Sequence, residues 1–459
     1  MHRTRSWLTT PVLAAALLSV GAGLSAFGVT VVIGDVAAEF GQPLPGHDMS
    51  AQLGLRASTI GIALALIRSA SLGGLFLAAF ADRLGRRRLL LTVAAVGFAS
   101  TSLAAAAPGF WWYVALIAVA RPFLATVNTV AGVVAAEESR SIDRAAAIGL
   151  ITAAYGLGSG LVSVGRGLLP GEPSFRVVTL FALGPLLLLP LLARGIREPS
   201  IAVGRTRAEG LPGGVPRELR GRVAVLAGLV GAIAVATGPG FSYLFVYGEG
   251  ILGASALQLS GLVLAAGPAG LAGIVLGRWS ADRLGRRVTG ALAMSGTGLA
   301  VGIAYSAELT ALTVGYLSTI LLASAFAPAQ GALASELVPT ALRATVAGWL
   351  MVTGVLGAIV GLTVFGVLAD LTGGFAVAAR LLGAIVMLSA FGFLALPETR
   401  GVELEDLEEG VPHDERPPGP PGARGAERGG TDGAPDVRPP GPGRRYRRGY
   451  RRSSREERR

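Results

Sequence analysis

Long apolar stretches separated by short polar segments follow one another along most of this chain. The chain contains twelve such stretches, at residues 8–36, 57–80, 88–107, 110–135, 145–168, 175–194, 222–247, 256–280, 288–307, 309–334, 344–369 and 374–396. A helix needs about 20 apolar residues to cross the hydrocarbon core of a bilayer, and each stretch reaches about that length. The pattern therefore predicts an all-α fold, that of a polytopic membrane protein with twelve transmembrane helices. The lipid bilayer is the expected partner of these helices.

A seven-residue sequence, AlaAspArgLeuGlyArgArg, occurs twice in the same setting. It joins the second and third apolar stretches at 81–87 and the eighth and ninth at 281–287, an offset of 200 residues. Charged residues near later helix ends repeat at almost the same offset: Glu137 with Glu336, Arg144 with Arg343, and Glu198 with Glu398. Self-similarity at a fixed offset indicates a duplicated unit.

The duplication divides the chain into two pseudo-symmetric bundles of six helices each. We predict the first bundle at residues 1–194 and the second at 222–396, with a cytoplasmic linker at 195–221. Residues 397–459 are rich in proline, glycine and arginine, which predicts a disordered cytoplasmic tail. Attraction of the tail's arginines to anionic lipid is the functional alternative.

The distribution of basic residues sets the orientation of the helices, and all 40 of these residues are arginines. With the N-terminus inside the cell, 34 of the 40 lie in segments on the cytoplasmic side and two lie in outside loops. Cytoplasmic loops of membrane proteins carry such an excess of basic residues. We expect a multi-pass protein of the cell (plasma) membrane with both termini in the cytoplasm.

The composition excludes several classes of chemistry. Hydrophobic residues make up 52% of the 459 residues and charged residues 15%, and the mean hydropathy is +0.59, too apolar for a soluble chain. The absence of cysteine excludes disulfides and thiolate metal sites, and the absence of lysine excludes a P-loop for ATP. The three histidines lie outside the apolar stretches. We expect no metal, no cofactor, no nucleic-acid partner and no enzyme activity.

The repeated turn combines an acid, a glycine and two arginines. Asp82 can face a helix N-terminus, Gly85 permits a tight turn, and Arg86 can bind carboxylates at neighbouring helix ends. The turn resembles the signature loop of the major facilitator superfamily, which lies between helices 2 and 3 and again between helices 8 and 9. The resemblance covers about residues 8–409, and it implies the twelve-helix fold and the alternating-access transport of that superfamily.

A second motif resembles the sugar-porter branch of the superfamily. It is ProGluThrArgGly at 397–401, followed by LeuGluAspLeuGluGlu at 404–409. In that branch, arginines and glutamates at the cytoplasmic helix ends form ion pairs that hold the inner gate closed. The resemblance therefore implies a cytoplasmic gate made of Asp82, Gly85, Arg86, Arg87, Glu137, Arg144, Glu198, Asp282, Gly285, Arg286, Arg287, Glu336, Arg343 and Glu398.

Charged and polar residues inside the apolar stretches are candidates for substrate binding, because an embedded charge costs at least about 2.5 kcal/mol. These candidates are Arg68, Arg121, Asn128, Tyr155, Tyr243, Tyr247 and Gln330. Asp35 is the best-placed embedded acid and is the candidate for proton coupling. Arg166 and Arg380 lie nearer the outer face, and we expect their side chains to extend toward it. The GlyProGly at 238–240 is expected to interrupt the seventh helix.

The excess of arginine over carboxylate in the apolar stretches favours a polar or anionic substrate. We predict a secondary active transporter for a small organic solute, such as a sugar or metabolite, coupled to protons and acting as a monomer. An efflux antiporter for drugs or metabolites in the same superfamily is the alternative, and a transporter-like sensor or scaffold is another. Gly158-Ser159-Gly160 suggests an intramembrane serine protease, but no apolar stretch contains a histidine to serve as its base.

Overall fold

A computed structural model describes residues 8–41, 53–140, 142–171, 174–196, 216–339 and 342–400, except for the side chains of residues 81, 82, 218 and 344. Within these ranges the chain is helical and contains no strand. The described residues belong to one compact unit, and residues 401–459 lie outside the described part of the chain. The predicted disordered tail therefore stays a prediction.

Six long helices form the first half of the chain, which we call the N half (residues 8–196). They are α1 (Thr10–Phe40), α2 (Ala57–Ala79), α3 (Arg86–Ala106), α4 (Phe110–Glu137), α5 (Arg144–Leu168) and α6 (Phe175–Gly195). A turn at residues 71–72 interrupts α2, and the four-residue helix Ala81–Leu84 connects α2 to α3.

Six further long helices form the C half (residues 216–400). They are α7 (Arg217–Ser242), α8 (Ala256–Leu284), α9 (Arg286–Ala304), α10 (Leu309–Glu336), α11 (Arg343–Thr372) and α12 (Phe375–Ala395). A short helix, Leu244–Gly250, follows α7. The interruption predicted at 238–240 comes one turn later, at Tyr243, because α7 continues through Pro239.

Eleven of the twelve long helices in the described residues are long and apolar enough to cross a membrane. The exception is α9. Its sequence, RRVTGALAMSGTGLAVGIA, contains glycine, serine and threonine between the apolar residues, which lowers its mean hydropathy. It still packs between its neighbours α10 and α12, at the position that α3 occupies in the N half. The predicted all-α fold with twelve helical spans is therefore confirmed at the level of helix order, with one span less apolar than the others.

Successive helices alternate in direction, so the bundle has two ends. We call the end that carries residues 81–87 and 281–287 the motif end, and the opposite end the distal end. One buried apolar cluster lies entirely within the N half, between Val12 and Ile196. A second cluster contains residues of both halves, such as Ile60 of α2 and Phe365 of α11. The two halves therefore share a hydrophobic core.

Two helix pairs carry the contact between the halves: α2 packs against α11, and α5 packs against α8. The first pair is close because glycine allows the backbones to approach. A Cβ atom on Gly61 of α2 would lie 2.4 Å from the carbonyl oxygen of Leu362, and one on Gly366 of α11 would lie 2.5 Å from that of Ala57. Small residues at such crossings are typical of packed membrane helices.

Candidate functional site

The second repeated turn places Glu398 on the N-terminus of α9. Gly285 adopts φ +102° and ψ 158°, a backbone conformation that favours glycine. The backbone N–H groups of Arg286 and Arg287, in the first turn of α9, donate to the two carboxylate oxygens of Glu398 at 2.9 and 3.1 Å. An acid at this position satisfies unpaired N–H groups and complements the helix dipole. Glu398 of the ProGluThrArgGly motif, which follows α12, therefore caps the N-terminus of α9.

The protonation of Glu398 follows from the same contacts. Desolvation alone would raise the pKa of Glu398, but backbone N–H donors from Arg286, Arg287, Arg400 and Thr399 lower it, and the pKa of Glu398 lies below its ordinary value. The cap is thus ionised at neutral pH. It weakens only when the pH falls through this lowered pKa, because protonation removes the charge that the N–H groups stabilise.

Arg286 links α8, α9 and α10 at the motif end of the C half. Its Nη2 atom lies 3.3 Å from Oε1 of Glu336 and 3.8 Å from Oδ1 of Asp282. Glu336 also accepts a hydrogen bond from the hydroxyl of Thr399. Arg287 turns the other way and donates to the carbonyl oxygens of Phe393 and Leu394 on α12. Charged side chains thus connect the ends of α8, α9, α10 and α12 at the motif end.

The N half repeats the central part of this arrangement. Arg86 Nε lies 3.4 Å from Glu137 Oε1, matching Arg286 and Glu336 in the other half. Gly85 adopts φ +85°, and Arg87 donates to the carbonyl oxygen of Ala193 on α6 at 3.1 Å. The side chain of Asp82, and Glu198 as a whole, lie outside the described residues. Within each half the structure thus pairs one gate arginine with one gate glutamate: Arg86 with Glu137, and Arg286 with Glu336.

The other two arginines of the predicted gate contact backbone. Arg144 Nε donates to the carbonyl oxygen of Ala136, and Arg343 Nε to that of Val338, each at 3.2 Å. Both contacts lie within one half and hold the start of a helix against the end of the preceding one. The described contacts of these two side chains are therefore with carbonyl groups and not with the glutamates of the same repeat.

Two of the predicted substrate-binding arginines lie near each other inside the N half. Arg121 Nη1 donates to the carbonyl oxygen of Ala26 on α1 at 2.8 Å. Arg68 interacts electrostatically with Arg121 and Tyr155, and its side chain is exposed. Asn128, two turns closer to the motif end on α4 than Arg121, accepts a hydrogen bond from Ser19 at 3.1 Å.

Gln330 lies in a different place, on a cavity of about 440 Å³ in the C half. The cavity is formed by α7, α10 and α11 near the motif end, and Ser335 and Arg343 supply its other polar groups. Apolar side chains such as Leu350 and Met351 make up much of the remaining lining. The cavity is open to the surface and carries a few polar groups on a mainly apolar wall.

Tyr243 and Tyr247 belong to a packed aromatic cluster and do not line a cavity. Both are almost fully buried, against Phe365, Phe375 and Tyr305. The hydroxyl of Tyr243 donates to the carbonyl oxygen of Ala57, and that of Tyr247 accepts from the backbone N–H of Ala307. Because their polar atoms are already paired within the protein, we leave these two tyrosines out of the binding site.

A charged cluster at the distal end was missed by the sequence interpretation. Arg166 does not extend toward the surface; it is only 4% exposed and lies between two carboxylates. Its Nη2 atom contacts both oxygens of Asp35 at 2.8 Å, and its Nη1 atom donates to Glu249. Asp35 and Arg166 belong to the N half, whereas Glu249 belongs to the Leu244–Gly250 helix of the C half. We call these three residues the distal triad.

Other hydrogen bonds join the halves at the same end. Asp370, near the end of α11, accepts from the backbone N–H groups of Ala57 and Ser58 at 2.9 and 3.0 Å, and so caps α2 from the other half. Ser260 of α8 donates to the carbonyl oxygen of Ser163 of α5 at 2.6 Å. Together with the distal triad, these contacts hold the two halves together at the distal end.

No group of three or more histidine, cysteine, aspartate or glutamate side chains placed to hold a metal ion occurs among the described residues. The chemistry available in the part of the chain that the structure describes is therefore that of arginines, carboxylates and polar groups on helices. Such groups can bind, orient and release a solute between two halves of a bundle.

Comparisons with known proteins agree with this architecture. The inward-open xylose transporter XylE from E. coli has a TM-score of 0.66 at 19% identity, over 87% of this chain and 98% of that one. A D-xylose-proton symporter has a TM-score of 0.66 at 20% identity, over 85% of this chain and 98% of that one. A bacterial homologue of the human lysosomal transporter Spinster, in an inward-facing and occupied conformation, has a TM-score of 0.65 at 16% identity, over 84% of this chain and 95% of that one.

These likenesses, at such low identity, concern the fold. A search of curated proteins found no match to the chain. The sequence profile described as Major Facilitator Superfamily matches residues 13–322 and 267–426, which together span most of the chain. With its two six-helix halves and its repeated turn, the chain belongs to the Major Facilitator Superfamily of transporters.

Proposed function

We propose that this protein is a secondary active transporter that moves a small polar or anionic organic solute, such as a sugar or metabolite, across the plasma membrane by alternating access. The observation that carries the proposal is the set of polar contacts that joins the two six-helix halves at one end of the bundle. The halves are held together at the distal end by the distal triad, Asp370 and the Ser163–Ser260 contact.

The arginine distribution supports an orientation with the motif end in the cytoplasm, together with both termini. In that orientation the described conformation faces inward, because the contacts between the halves close the outer side. The solved relatives described as inward-facing or inward-open are consistent with this assignment. Since the passage lies between two halves of one chain, the transporter works as a monomer.

The proposed solute site has two parts: Arg68, Arg121 and Tyr155 in the N half and, on a separate cavity in the C half, Gln330. Two guanidinium groups without a described carboxylate partner favour a solute that carries negative charge or many hydroxyl groups. Asp35 supplies an acid for proton coupling at the distal end of the same half. The similarity to a protein described as a D-xylose-proton symporter supports proton-coupled uptake.

Arg121→Ala is the first test of this site. Because a charge-assisted hydrogen bond contributes about 1.5–3 kcal/mol, we expect the affinity for the transported solute to fall at least about tenfold. The measurement is a thermal-shift screen of purified protein against sugars, carboxylates and cationic drugs, followed by titration of the best ligand. Arg380→Ala is the matched control, since Arg380 is an exposed arginine on α12.

An unchanged affinity in the Arg121 variant would remove this residue from the site.

The direction of transport is measured separately, in liposomes with an imposed pH gradient. Accumulation of the solute on the side to which protons flow supports symport. Accumulation on the opposite side supports the alternative, an antiporter for drugs or metabolites. Absence of flux for every ligand that binds would contradict transport as the function and favour a sensor.

A further inference from the structure

The two helices α2 and α8 begin at the distal end against the other half, and the start of α8 carries its own cap. They occupy equivalent positions in the two halves, at an offset of 200 residues. The hydroxyl of Ser255 accepts from the backbone N–H of Gln258 at 3.3 Å, and the side chain of Gln258 accepts from the backbone N–H of Ser255 at 2.9 Å. This reciprocal arrangement is a capping box, and it lies wholly within the C half.

The start of α2 has no such cap in its own sequence. The residue before its first turn, Arg56, has an extended backbone, but its side chain makes no capping hydrogen bond. The backbone N–H groups of Ala57 and Ser58 donate instead to the carboxylate of Asp370, in the C half. The carbonyl oxygen of Ala57 accepts from the hydroxyl of Tyr243, which also belongs to the C half. The backbone groups at the start of α2 are therefore satisfied by the other half.

The equivalent contact between α5 and α8 lacks the acid. At the offset of 199 residues that relates α5 to α11, Gly171 stands at the position equivalent to Asp370. The close approach of the helices is common to both pairs, since Gly167 of α5 corresponds to Gly366 of α11 and each lies against the start of the facing helix. An acid is thus present at the boundary where the facing helix lacks a cap, and absent where that helix has one.

We propose that Asp370 is a positioning residue for α2 that acts in one state of the transporter: it caps α2 while the distal end is closed, and it leaves α2 uncapped when that end opens. The inference rests on the proposed function, since it takes the two halves to separate at the distal end. On separation Asp370 moves away with the C half, and the N–H groups of Ala57 and Ser58 lose their acceptor. The cap of α8 is kept, because both of its members lie in the C half.

A cap that exists in one state only favours that state. An interaction shifts a two-state equilibrium by the difference between its free energies in the two states. Replacement of an N-cap acceptor by alanine typically changes an equilibrium constant about fivefold. The capping of α2 should therefore favour the closed distal end by about that factor, whereas the capping of α8 favours neither state.

The test measures the distance between the two halves at the distal end in purified, full-length protein at neutral pH. The chain contains no cysteine, so two introduced cysteines can carry spin labels without further changes. Pro170, after α5, and Thr310, at the start of α10, are exposed positions at this end in the N and C halves. Double electron–electron resonance then gives the ratio of long to short distances, with no substrate needed.

We expect Asp370→Ala to raise the ratio of long to short distances about fivefold over that of the parent. Asp370→Asn keeps an acceptor oxygen, and asparagine caps helices about as well as aspartate, so its ratio should lie close to that of the parent. Ser255→Ala is the matched control, because it removes a cap of the same kind that lies within one half. It should lower the midpoint of thermal unfolding and leave the distance ratio unchanged.

The reverse change gives α2 a cap of its own. Arg56→Ser supplies a hydroxyl that can accept from the first turn in both states, whereas Arg56→Ala removes the same arginine without supplying an acceptor. Serine should stabilise the open state more, because in the closed state Asp370 already holds these N–H groups. Arg56→Ser should therefore give a higher ratio of long to short distances than Arg56→Ala. Combined with Asp370→Ala, the two variants should give equal ratios.

Either of two results would overturn the proposal. One is an Asp370→Ala variant whose distance ratio equals that of Ser255→Ala. The other is an equal ratio for Arg56→Ser and Arg56→Ala when Asp370 is present, and this pair decides alone if Asp370→Ala does not fold. Because the readout is a distance, a protein that transports none of the tested solutes still gives a decisive answer. Failure of the proposed function and failure of this inference are therefore distinguishable.

Discussion

Arg166→Ala is expected to abolish transport while the protein still inserts into the membrane. The substitution leaves Asp35 and Glu249 facing each other across the two halves, without the guanidinium that now separates them. Breaking a buried charge pair costs about 3–5 kcal/mol, and we expect the lower end, because both carboxylates keep partial access to water. The closed distal end should then become the minor state.

The measurement is solute uptake into liposomes that contain the purified protein. Glu39→Gln is the matched control: this carboxylate also pairs with an arginine at the distal end, but the pair is exposed and lies within one half. An exposed ion pair contributes about 0–1 kcal/mol, so the control should transport at close to the parent rate. Equal transport by the two variants would show that Arg166 has no role in closure.

Gly285→Ala is expected to destabilise the motif end of the C half. A residue with a side chain at φ +102° costs about 1–3 kcal/mol. The new Cβ atom would lie 2.6 Å from an oxygen of Glu398, so the carboxylate must also leave the N-terminus of α9. We therefore expect a lower midpoint of thermal unfolding in detergent, together with reduced transport.

Gly228→Ala is the control for this change. Gly228 lies within α7, and a Cβ atom there would meet nothing within 4 Å. Alanine is the better helix former by about 1 kcal/mol, so this variant should unfold at the same temperature as the parent or slightly above it. If Gly285→Ala were as stable as Gly228→Ala, the assignment of Glu398 as the cap of α9 would be wrong.

The repeat in the sequence was enough to predict the order of the helices and the composition of the motif end. Arg86 with Glu137, and Arg286 with Glu336, meet in each half because both members occur at the same register of a duplicated unit. Such contacts are local to one bundle of helices. A pattern that occurs twice at a constant offset therefore carries the information needed to find them.

The distal triad could not be found in that way. Arg166 and Glu249 are 83 residues apart, lie in different halves and have no counterpart at the repeat offset. Their contact depends on how the halves pack against each other, which apolar periodicity does not encode. The one available signal was that an arginine within an apolar stretch requires a carboxylate, and that Asp35 and Glu249 are acids near the same end of the helices.

Two tyrosines that follow α7 illustrate a second limit of the sequence. Tyr243 and Tyr247 are polar aromatic residues in the seventh apolar stretch, which favoured a role in binding. The structure buries both against phenylalanines, with their hydroxyl groups bonded to backbone. Which way such a tyrosine faces depends on the rotation of its helical segment, which a nearly uniform apolar sequence does not specify.

The central claim is that transport requires the two halves to separate at the distal end. Ser163 and Ser260 have hydroxyl oxygens 3.3 Å apart, so Ser163→Cys and Ser260→Cys together should place two thiols within disulfide distance in a chain that has no other cysteine. We predict that oxidation stops solute uptake and that reduction restores it, while each single variant is unaffected by the oxidant. Uptake at the parent rate by the fully cross-linked protein would contradict the account.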